Sequence, residues 1–251
     1  MNKDLIKIFA EVEEFHWWFV GRRLLLERYL KSYLRKEKSE IKILDIGCGS
    51  GGNLKFLTKF GRVYGIDNLD VAVDYCRQRG FKNVRLADAR SLPFPNQTFD
   101  IVSFLDVIEH IKDDQLAIRE AKRVLKTGGL IVITVPALPI IWSNYDKLQD
   151  HHRRYLPSEL TTLAKNSKLQ ILTIQYFNFF LLMPIALVRI LSKLKFFKKL
   201  GEHDSNLNFR LARIRPVNKM LLGIFGLEVF LNKWIKYPSG VSLLAVFKKI
   251  S

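Results

Sequence analysis

A short apolar run that leads directly into a glycine-rich turn limits this chain to few folds. Residues 41–47 read IKILDIG, and residues 48–52 read CGSGG. The first segment predicts a strand, and the glycines after it predict a tight turn where the backbone can approach a ligand closely. In sheets that alternate strands with helices, ligands bind at such turns, beyond the carboxyl ends of the strands.

The alternation of strand and helix continues along the chain. Helix-length segments at 52–60, 70–80 and 113–126 separate β-branched runs, and Thr127-Gly128-Gly129 predicts the end of the last helix. Strands separated by helices imply right-handed crossovers. We therefore predict an α/β, Rossmann-like fold with a mainly parallel sheet covered by helices on both faces. Seven strands are predicted, at residues 41–47, 62–67, 83–88, 99–107, 129–136, 169–177 and 241–249.

The glycine spacing alone leaves two cofactor classes open. Gly47, Gly49 and Gly52 satisfy the dinucleotide fingerprint, and Asp67 could bind a ribose hydroxyl in either case. Asp45, two residues before the first glycine, would repel a pyrophosphate but attract a cation. The sign of this charge favours a sulfonium ligand.

Five motifs in order resemble the class I S-adenosylmethionine-dependent methyltransferases, in the branch (methyltransferase type 11) that acts mostly on small molecules and lipids. They are ILDIGCGSGG, VYGIDNLD, LADARSLPFPNQTFDIV, FLDVIEHIKD and REAKRVLKTGGLIVITVP, which together cover about residues 41–136. The resemblance implies S-adenosyl-L-methionine as cofactor. It also implies cofactor-binding roles for Asp45, Gly47, Gly49 and Gly51 at the methionine and ribose, Asp67 and Asn68 at the ribose, Asp88 and Ala89 at the adenine, and Asp106.

The N-terminal segment EEFHWWFVGRR, residues 13–23, resembles a pattern that precedes the catalytic core in some bacterial and archaeal relatives. Arg22 or Arg23 could pair with the cofactor carboxylate, and Trp17 and Trp18 could close an apolar lid. The alternative is a cover helix with its aromatic residues in the core and its arginines in solvent.

Histidines supply the candidates for a general base, since imidazole titrates near neutral pH. His110 follows the fourth predicted strand, and His151 and His152 follow the fifth. The adjacent Arg153 and Arg154 would suit a phosphate or carboxylate on the acceptor, with structural pairing as the alternative. No metal site is predicted. Cys48 and Cys76 show no metal-ligand spacing, and they favour a reducing, cytoplasmic location.

The net charge of +17 is distributed unevenly, because residues 178–240 carry eleven basic and three acidic side chains. The uncharged stretch 169–188 contains polar residues and a proline, so a strand at 169–177 and an amphipathic helix at 179–200 fit it better than a membrane span. Apolar residues beside basic ones predict an interfacial helix on an anionic membrane, with a cap over the sheet as the alternative. The basic side chains at the end of this helix are Arg189, Lys193, Lys195, Lys198 and Lys199.

The sequence thus predicts four parts: an N-terminal helical cover (1–40), a cofactor-binding core (41–177), a basic helical insertion (178–240) and a final core strand (241–251). We expect O-methylation of a lipid-linked glycan or other amphipathic small molecule by a cytoplasmic enzyme, peripheral on the membrane. The alternatives are an RNA-directed methyltransferase and a cofactor-binding regulatory protein without turnover. Nucleic acid is disfavoured because the basic residues border aliphatic faces.

Overall fold

Seven strands form one sheet in the order β3-β2-β1-β4-β5-β7-β6 in this computed structural model, which describes residues 3–34, 40–191 and 209–250. Strands β1 to β5 pair in parallel, and β7 runs antiparallel to both β5 and β6. The predicted Rossmann-like fold is confirmed. The strands are β1 Lys42–Ile46, β2 Arg62–Asp67, β3 Val84–Leu86, β4 Phe99–Leu105, β5 Leu125–Pro136, β6 Gln170–Phe177 and β7 Ser242–Lys248.

Helices lie on both faces of this sheet because its strands carry apolar side chains on both faces. Leu44 packs into one core with helices that follow β4 and β5, while its neighbour Ile43 packs into the other core with the N-terminal helix and the insertion. The helices are α1 Lys3–Val12, α2 Trp17–Tyr33, α3 Gly52–Leu57, α4 Asp70–Gln78, α5 Asp114–Val124, α6 Asn144–Leu148, α7 Pro157–Asn166, α8 Leu182–Leu191 and α9 Arg215–Leu231, with 3-10 turns at Ile108–His110 and Pro139–Ile141.

The strand order reverses between β1 and β4, and this reversal places the site. Ile46 of β1 lies beside Phe104 of β4 in the register of the sheet. The loops that follow these strands therefore emerge side by side, at the switch point where open α/β sheets bind ligands.

Helix α2 and helix α9 pack against each other, so the N-terminal cover and the insertion form one layer. Gly21 allows this approach, since a Cβ atom there would lie 2.3 Å from the ring of Phe225. The backbone N–H of Trp17 donates a hydrogen bond of 2.8 Å to Asn218. Trp18 stacks on Phe177 with ring centroids 5.7 Å apart.

The first three predicted helices end two or three residues earlier in the structure, with α3 ending at Leu57 and α4 at Gln78. Helix α5 ends at Val124 rather than at residue 126, because Leu125 already pairs with Phe99 in the sheet. Of the helix predicted at 179–200, α8 covers Leu182–Leu191, and residues 179–181 precede it without helical structure. Residues 192–200, with Lys193, Lys195, Lys198 and Lys199, lie outside the described ranges. Within those ranges, no helix combines the length and the apolar character needed to cross a bilayer.

Candidate active site

A cavity of about 370 Å³ opens at the carboxyl ends of β1 and β4. The glycine loop after β1 and the residues after β4 line one side of it, and the N-terminal helices and the insertion line the other. The predicted cofactor loop and the predicted acceptor elements thus face one space. Its lining includes Trp17, Trp18, Arg22, Gly47, Gly49, Asp106, Glu109, His110, His151, Leu181, Ile185, Val188 and Arg189.

The glycine loop has a backbone that other residues rarely adopt. Gly47, Gly49 and Gly51 have φ angles of +68°, +54° and +94°. At Gly47 a Cβ atom would also lie 2.6 Å from a methyl group of Val107, whereas at Gly49 it would have no heavy atom within 4 Å. The loop therefore leaves open space for a ligand where a side chain would otherwise project.

Asp45 lies in the sheet behind this loop. Its carboxylate accepts a hydrogen bond of 2.7 Å from the hydroxyl of Ser103, its partner on β4, and its Oδ2 atom has no hydrogen-bond partner in the described part of the chain. Burial raises the pKa of Asp45 to about 7. Asp45 does not line the cavity, so its predicted contact with the cofactor stays a prediction.

The residues predicted to hold the adenosine half lie at the ends of β2 and β3, outside the cavity lining. Asp67 is buried and accepts hydrogen bonds from the backbone N–H groups of Gly49, at 2.9 Å, and Leu69, at 3.0 Å. Burial raises its pKa. Asn68 and Asp88 are exposed and Ala89 is half-buried.

The guanidinium of Arg90 binds the carboxylate of Asp88 and lowers its pKa. This pairing was not predicted. Asp88, just after β3, is thus paired with an arginine. The adenine-binding role of Asp88 and Ala89 stays a prediction.

Arg22 is the arginine of the N-terminal segment that reaches the cavity. It is buried and forms an ion pair with Asp106, and it also donates 3.2 Å hydrogen bonds to the Leu105 carbonyl and the Asn53 side chain. Asp106 has a φ of +61°, a left-handed backbone that places this carboxylate directly after β4. Arg23 instead bonds the backbone carbonyl of Glu13 and does not line the cavity.

Trp17 and Trp18 combine the two roles that the sequence left open. Both line the cavity, and both pack on Phe225 of α9, with ring centroids 6.2 Å and 5.9 Å apart. They close one wall of the site as part of the core layer between α2 and α9.

Glu109, His110 and His151 form a cluster inside the cavity, although His151 lies about 40 positions further along the chain. One ligand-type atom from each lies within 4.8 Å of those of the others. Glu109 is fully buried, and neither of its carboxylate oxygens has a hydrogen-bond partner among the described residues. Burial and nearby Asp106 raise its pKa well above the usual range. Burial and His151 lower the pKa of His110 to about 3, so its imidazole is neutral at pH 7.

Asp146 orients His151 from behind. This carboxylate is fully buried and lies 3.1 Å from Nδ1 of His151, and it accepts hydrogen bonds from Arg154, at 2.8 Å, and Arg189, at 3.3 Å. Sequence reasoning missed Asp146 and this use of Arg189. The only sequence signal was Asp146 three residues after Ser143, where it forms a capping box at the start of α6.

Three predicted acceptor residues differ from the expectation, and of these only Arg154 lines the cavity. The side chain of His152 is exposed and does not line the cavity, and its backbone N–H donates to the Glu109 carbonyl at 2.8 Å. Arg153 pairs with Asp114 at 2.9 Å, and Arg154 pairs with Asp146. Structural pairing, the alternative to anion binding, is what the structure shows for both arginines, and the candidates for the base reduce to His110 and His151.

Comparisons with known proteins agree with this architecture. Residues 44–133 match the family model described as a methyltransferase domain. The methyltransferase YcgJ of Bacillus subtilis is 31% identical over 156 residues, which cover 56% of this chain and 62% of YcgJ. A ubiquinone biosynthesis O-methyltransferase of Pelagibacter ubique is 25% identical over 71% of this chain and 89% of its own length. A methyltransferase of Haloferax volcanii, solved with the Trm112 methyltransferase activator, superposes with a TM-score of 0.63 at 15% identity over 98% of each chain.

The strand order, the glycine loop and the site at the β1–β4 switch point define a class I methyltransferase fold. The methyltransferase domain at residues 44–133 and the related methyltransferases support a class I S-adenosylmethionine-dependent methyltransferase, and S-adenosyl-L-methionine is the cofactor that this domain and fold imply. The match to YcgJ spans less than two thirds of that protein.

Proposed function

We propose that the protein transfers a methyl group from S-adenosylmethionine to a hydroxyl of an amphipathic acceptor, such as a lipid-linked glycan, at a membrane surface. The observation that carries this proposal is the shared cavity. Its lining joins Gly47 and Gly49 of the cofactor loop to Leu181, Ile185 and Val188 of the insertion. The cavity is therefore polar beside the cofactor loop and apolar beside the insertion, where an acceptor would enter.

The residues of the loop fit a cationic cofactor. In the cavity, Asp106 has a carboxylate oxygen without a hydrogen-bond partner in the described part of the chain, and Gly49 has open space above it. Asp45 has a second such oxygen behind the loop, outside the cavity lining. We assign the methionine end to Gly47, Gly49, Gly51, Arg22 and Asp106, with Asp45 behind the loop, and the adenosine end to Asp67, Asn68, Asp88 and Ala89. When bound, S-adenosylmethionine supplies a methyl group on a positively charged sulfur.

Positioning is the main task left to this chain, because methyl transfer from a sulfonium is a displacement that needs alignment and exclusion of water. Trp17 and Trp18 wall the cavity on one side and Ile185 of α8 on the other. We propose that the acceptor hydroxyl faces His110 and His151, where its proton leaves. His151 is the better candidate for the base because Asp146 holds its Nδ1 atom, while the low pKa of His110 makes it a weak base.

Helix α8 supports an amphipathic acceptor because it is apolar on two faces. Ile185 and Val188 line the cavity, whereas Met183, Leu187 and Ile190 are exposed, with Met183 at 77%. A helix with this pattern can contact lipid on one side while it covers the acceptor on the other. It would let a lipid-anchored molecule reach the site without passing through water.

Helix α9 adds a second exposed apolar face. Its buried face, which includes Phe225 and Glu228, packs on the protein, and an opposite row at helical spacing is exposed. Basic side chains flank this row, as at Lys233, whose Nζ lies 5.4 Å from the Phe230 ring and 5.9 Å from the Trp234 ring. Aromatic and basic residues together are typical of helices that lie on anionic membranes. The exposed row is Met220, Leu227 and Phe230, and the exposed Trp234 follows it in the turn after the helix.

The relative from Pelagibacter ubique adds support, because its name assigns it an O-methyl transfer in ubiquinone biosynthesis and it matches 71% of this chain. Oxygen rather than nitrogen as the acceptor atom agrees with the cluster of imidazole and carboxylate groups in the cavity, which can take up a hydroxyl proton.

Three measurements test the proposal in order. Calorimetry should show binding of S-adenosylmethionine and none of NAD, and a preference for NAD would refute the cofactor assignment. Sedimentation should show binding to vesicles that contain anionic lipid and weaker binding to neutral vesicles. Tritium from methyl-labelled cofactor should then appear in the organic phase of a membrane extract. Salt-sensitive binding to RNA, with label in RNA and no vesicle binding, would favour the RNA-directed alternative.

A further inference from the structure

Glu109, His110 and His151 offer the donor set of a transition-metal site. Two imidazoles and one carboxylate bind divalent transition metals and leave coordination positions open for water or substrate. Their ligand-type atoms lie within 4.8 Å of one another. Ligand atoms around Zn²⁺ at about 2.0–2.1 Å lie about 3.4 Å apart in a tetrahedron, so small side-chain movements would bring these three into contact with one ion.

The outer contacts of both imidazoles favour metal binding. Nδ1 of His151 lies 3.1 Å from the buried carboxylate of Asp146, and Nδ1 of His110 lies 3.2 Å from the backbone carbonyl of Asp150. An acceptor at Nδ1 holds the proton there, so the lone pair is on Nε2 of each ring. A carboxylate or carbonyl behind a histidine is the usual arrangement around a bound metal, because it fixes the tautomer and the orientation of the ring.

Glu109 provides an independent indication of a missing positive partner. Its side chain is fully buried, and neither oxygen receives a hydrogen bond from the described residues. Buried polar groups in proteins are almost always hydrogen-bonded, and an unpaired buried carboxylate is costly. A cation held in the cluster would satisfy both oxygens at once.

We propose that Glu109, His110 and His151 bind one divalent transition-metal ion, of which Zn²⁺ is the test ion. The sequence predicted no metal site because His151 lies about 40 positions after Glu109 and His110 and because Cys48 and Cys76 show no metal-ligand spacing. The site stands on its own geometry; its use in catalysis rests on the proposed function. In that role the ion would bind the acceptor hydroxyl, which would release its proton to water more easily, and Nε2 of His151 would serve as a ligand instead of a base.

Metal binding can be measured without cofactor or acceptor. Untagged full-length protein is dialysed against EDTA, titrated with Zn²⁺ by calorimetry and analysed for metal content, and Co²⁺ is added separately to record visible absorption. We expect one ion per chain and a Co²⁺ band of a site with nitrogen and oxygen ligands. Glu109→Gln and His151→Ala should each lower Zn²⁺ affinity about 10-fold or more. The matched control is His152→Ala, an exposed neighbour outside the cluster, which should bind like the native protein.

Glu109→Gln also separates metal loss from misfolding. It removes the carboxylate that would bind the ion while it keeps the shape of the side chain, so the variant should unfold at a temperature no lower than the metal-free native protein. Less than 0.2 equivalents of Zn²⁺ in the native protein, on the order of adventitious binding, would overturn the proposal, as would equal affinity in Glu109→Gln. Cofactor binding is measured on the same samples: if it persists in native protein that binds no metal, the metal site fails and the methyltransferase proposal does not.

Discussion

Arg22 in the N-terminal helix and Asp106 after β4 form a largely buried ion pair across 84 residues of sequence. The pair connects the cover to the catalytic core at the mouth of the glycine loop, and a third residue, Asn53 at the start of α3, accepts from the same guanidinium at 3.2 Å. A cofactor carboxylate that enters the cavity would find this guanidinium already oriented by Asp106 and Asn53.

The first prediction concerns Arg22. Arg22→Ala should weaken binding of S-adenosylmethionine about 10- to 100-fold, since a charge-assisted hydrogen bond contributes about 1.5–3 kcal/mol. Calorimetry on the purified variant measures this, with circular dichroism as a check on folding. Arg23→Ala is the matched control, because Arg23 bonds the Glu13 carbonyl and does not line the cavity. Equal affinities of the two variants would exclude a clamp by Arg22.

A second prediction follows from the burial that raises the pKa of Asp45 from 3.8 to about 7. Because the folded state holds this proton more tightly than the unfolded state, the contribution of Asp45 to the free energy of unfolding is full below about pH 4 and falls as the pH rises to about 7. Asp45→Asn cannot lose a proton. Its stability relative to the native protein should therefore increase between pH 4 and pH 7 and change little above.

Urea unfolding of native protein and Asp45→Asn at pH 4.5, 6 and 8 measures that difference. The expected change is on the order of a few kcal/mol. A constant difference across the three pH values would mean that Asp45 is ionised in the folded protein throughout the range.

The sequence predicted the sheet well because its signals are local. β-Branched runs and the glycines after β1 each specify their own backbone, and all seven strands form near the predicted residues. Thr127-Gly128-Gly129, predicted to end a helix, lies inside β5 instead. The sequence could not predict the layer of α2 on α9. That contact depends on Gly21 meeting Phe225 across about 200 residues, and no local pattern distinguishes this glycine from one in a loop.

The residues of the candidate site also differ in whether a local sequence pattern predicts them. Motifs predicted Gly47 and Gly49 in the loop after β1, Asp67 at the end of β2 and the residues after β4, because each motif lies at or just after the end of a strand. Asp146 was missed because its role comes from three-dimensional contacts with His151, Arg154 and Arg189. His152 was included because its neighbour in sequence, His151, is functional in the proposal, yet only one of two adjacent side chains faces the cavity.

A third prediction separates these two histidines. His151→Ala should lower kcat about 100- to 10,000-fold, the usual contribution of a group that handles a proton in the transition state, with a smaller effect on KM. His152→Ala should stay within about twofold of the native rate, because an exposed side chain outside the cavity touches no reacting group. Steady-state kinetics on the identified acceptor measures both. Full activity of His151→Ala would place proton removal elsewhere.

The last prediction tests the exposed apolar face of α9 together with the turn that follows it. Phe230 and Trp234 are 54% and 68% exposed, and each would bury much of its surface on entering the interfacial region of a bilayer. Phe230→Ser with Trp234→Ser should weaken binding to anionic vesicles about 10- to 100-fold.

The matched control is Leu86→Ser, an exposed leucine at 58% on edge strand β3, distant in the sheet order from the strands that flank the insertion. Calorimetric cofactor affinity should be unchanged in both proteins, since neither substitution touches the glycine loop. Equal vesicle binding by the two variants would show that α9 does not contact the lipid, and the apolar face would then have to be covered by something other than a membrane.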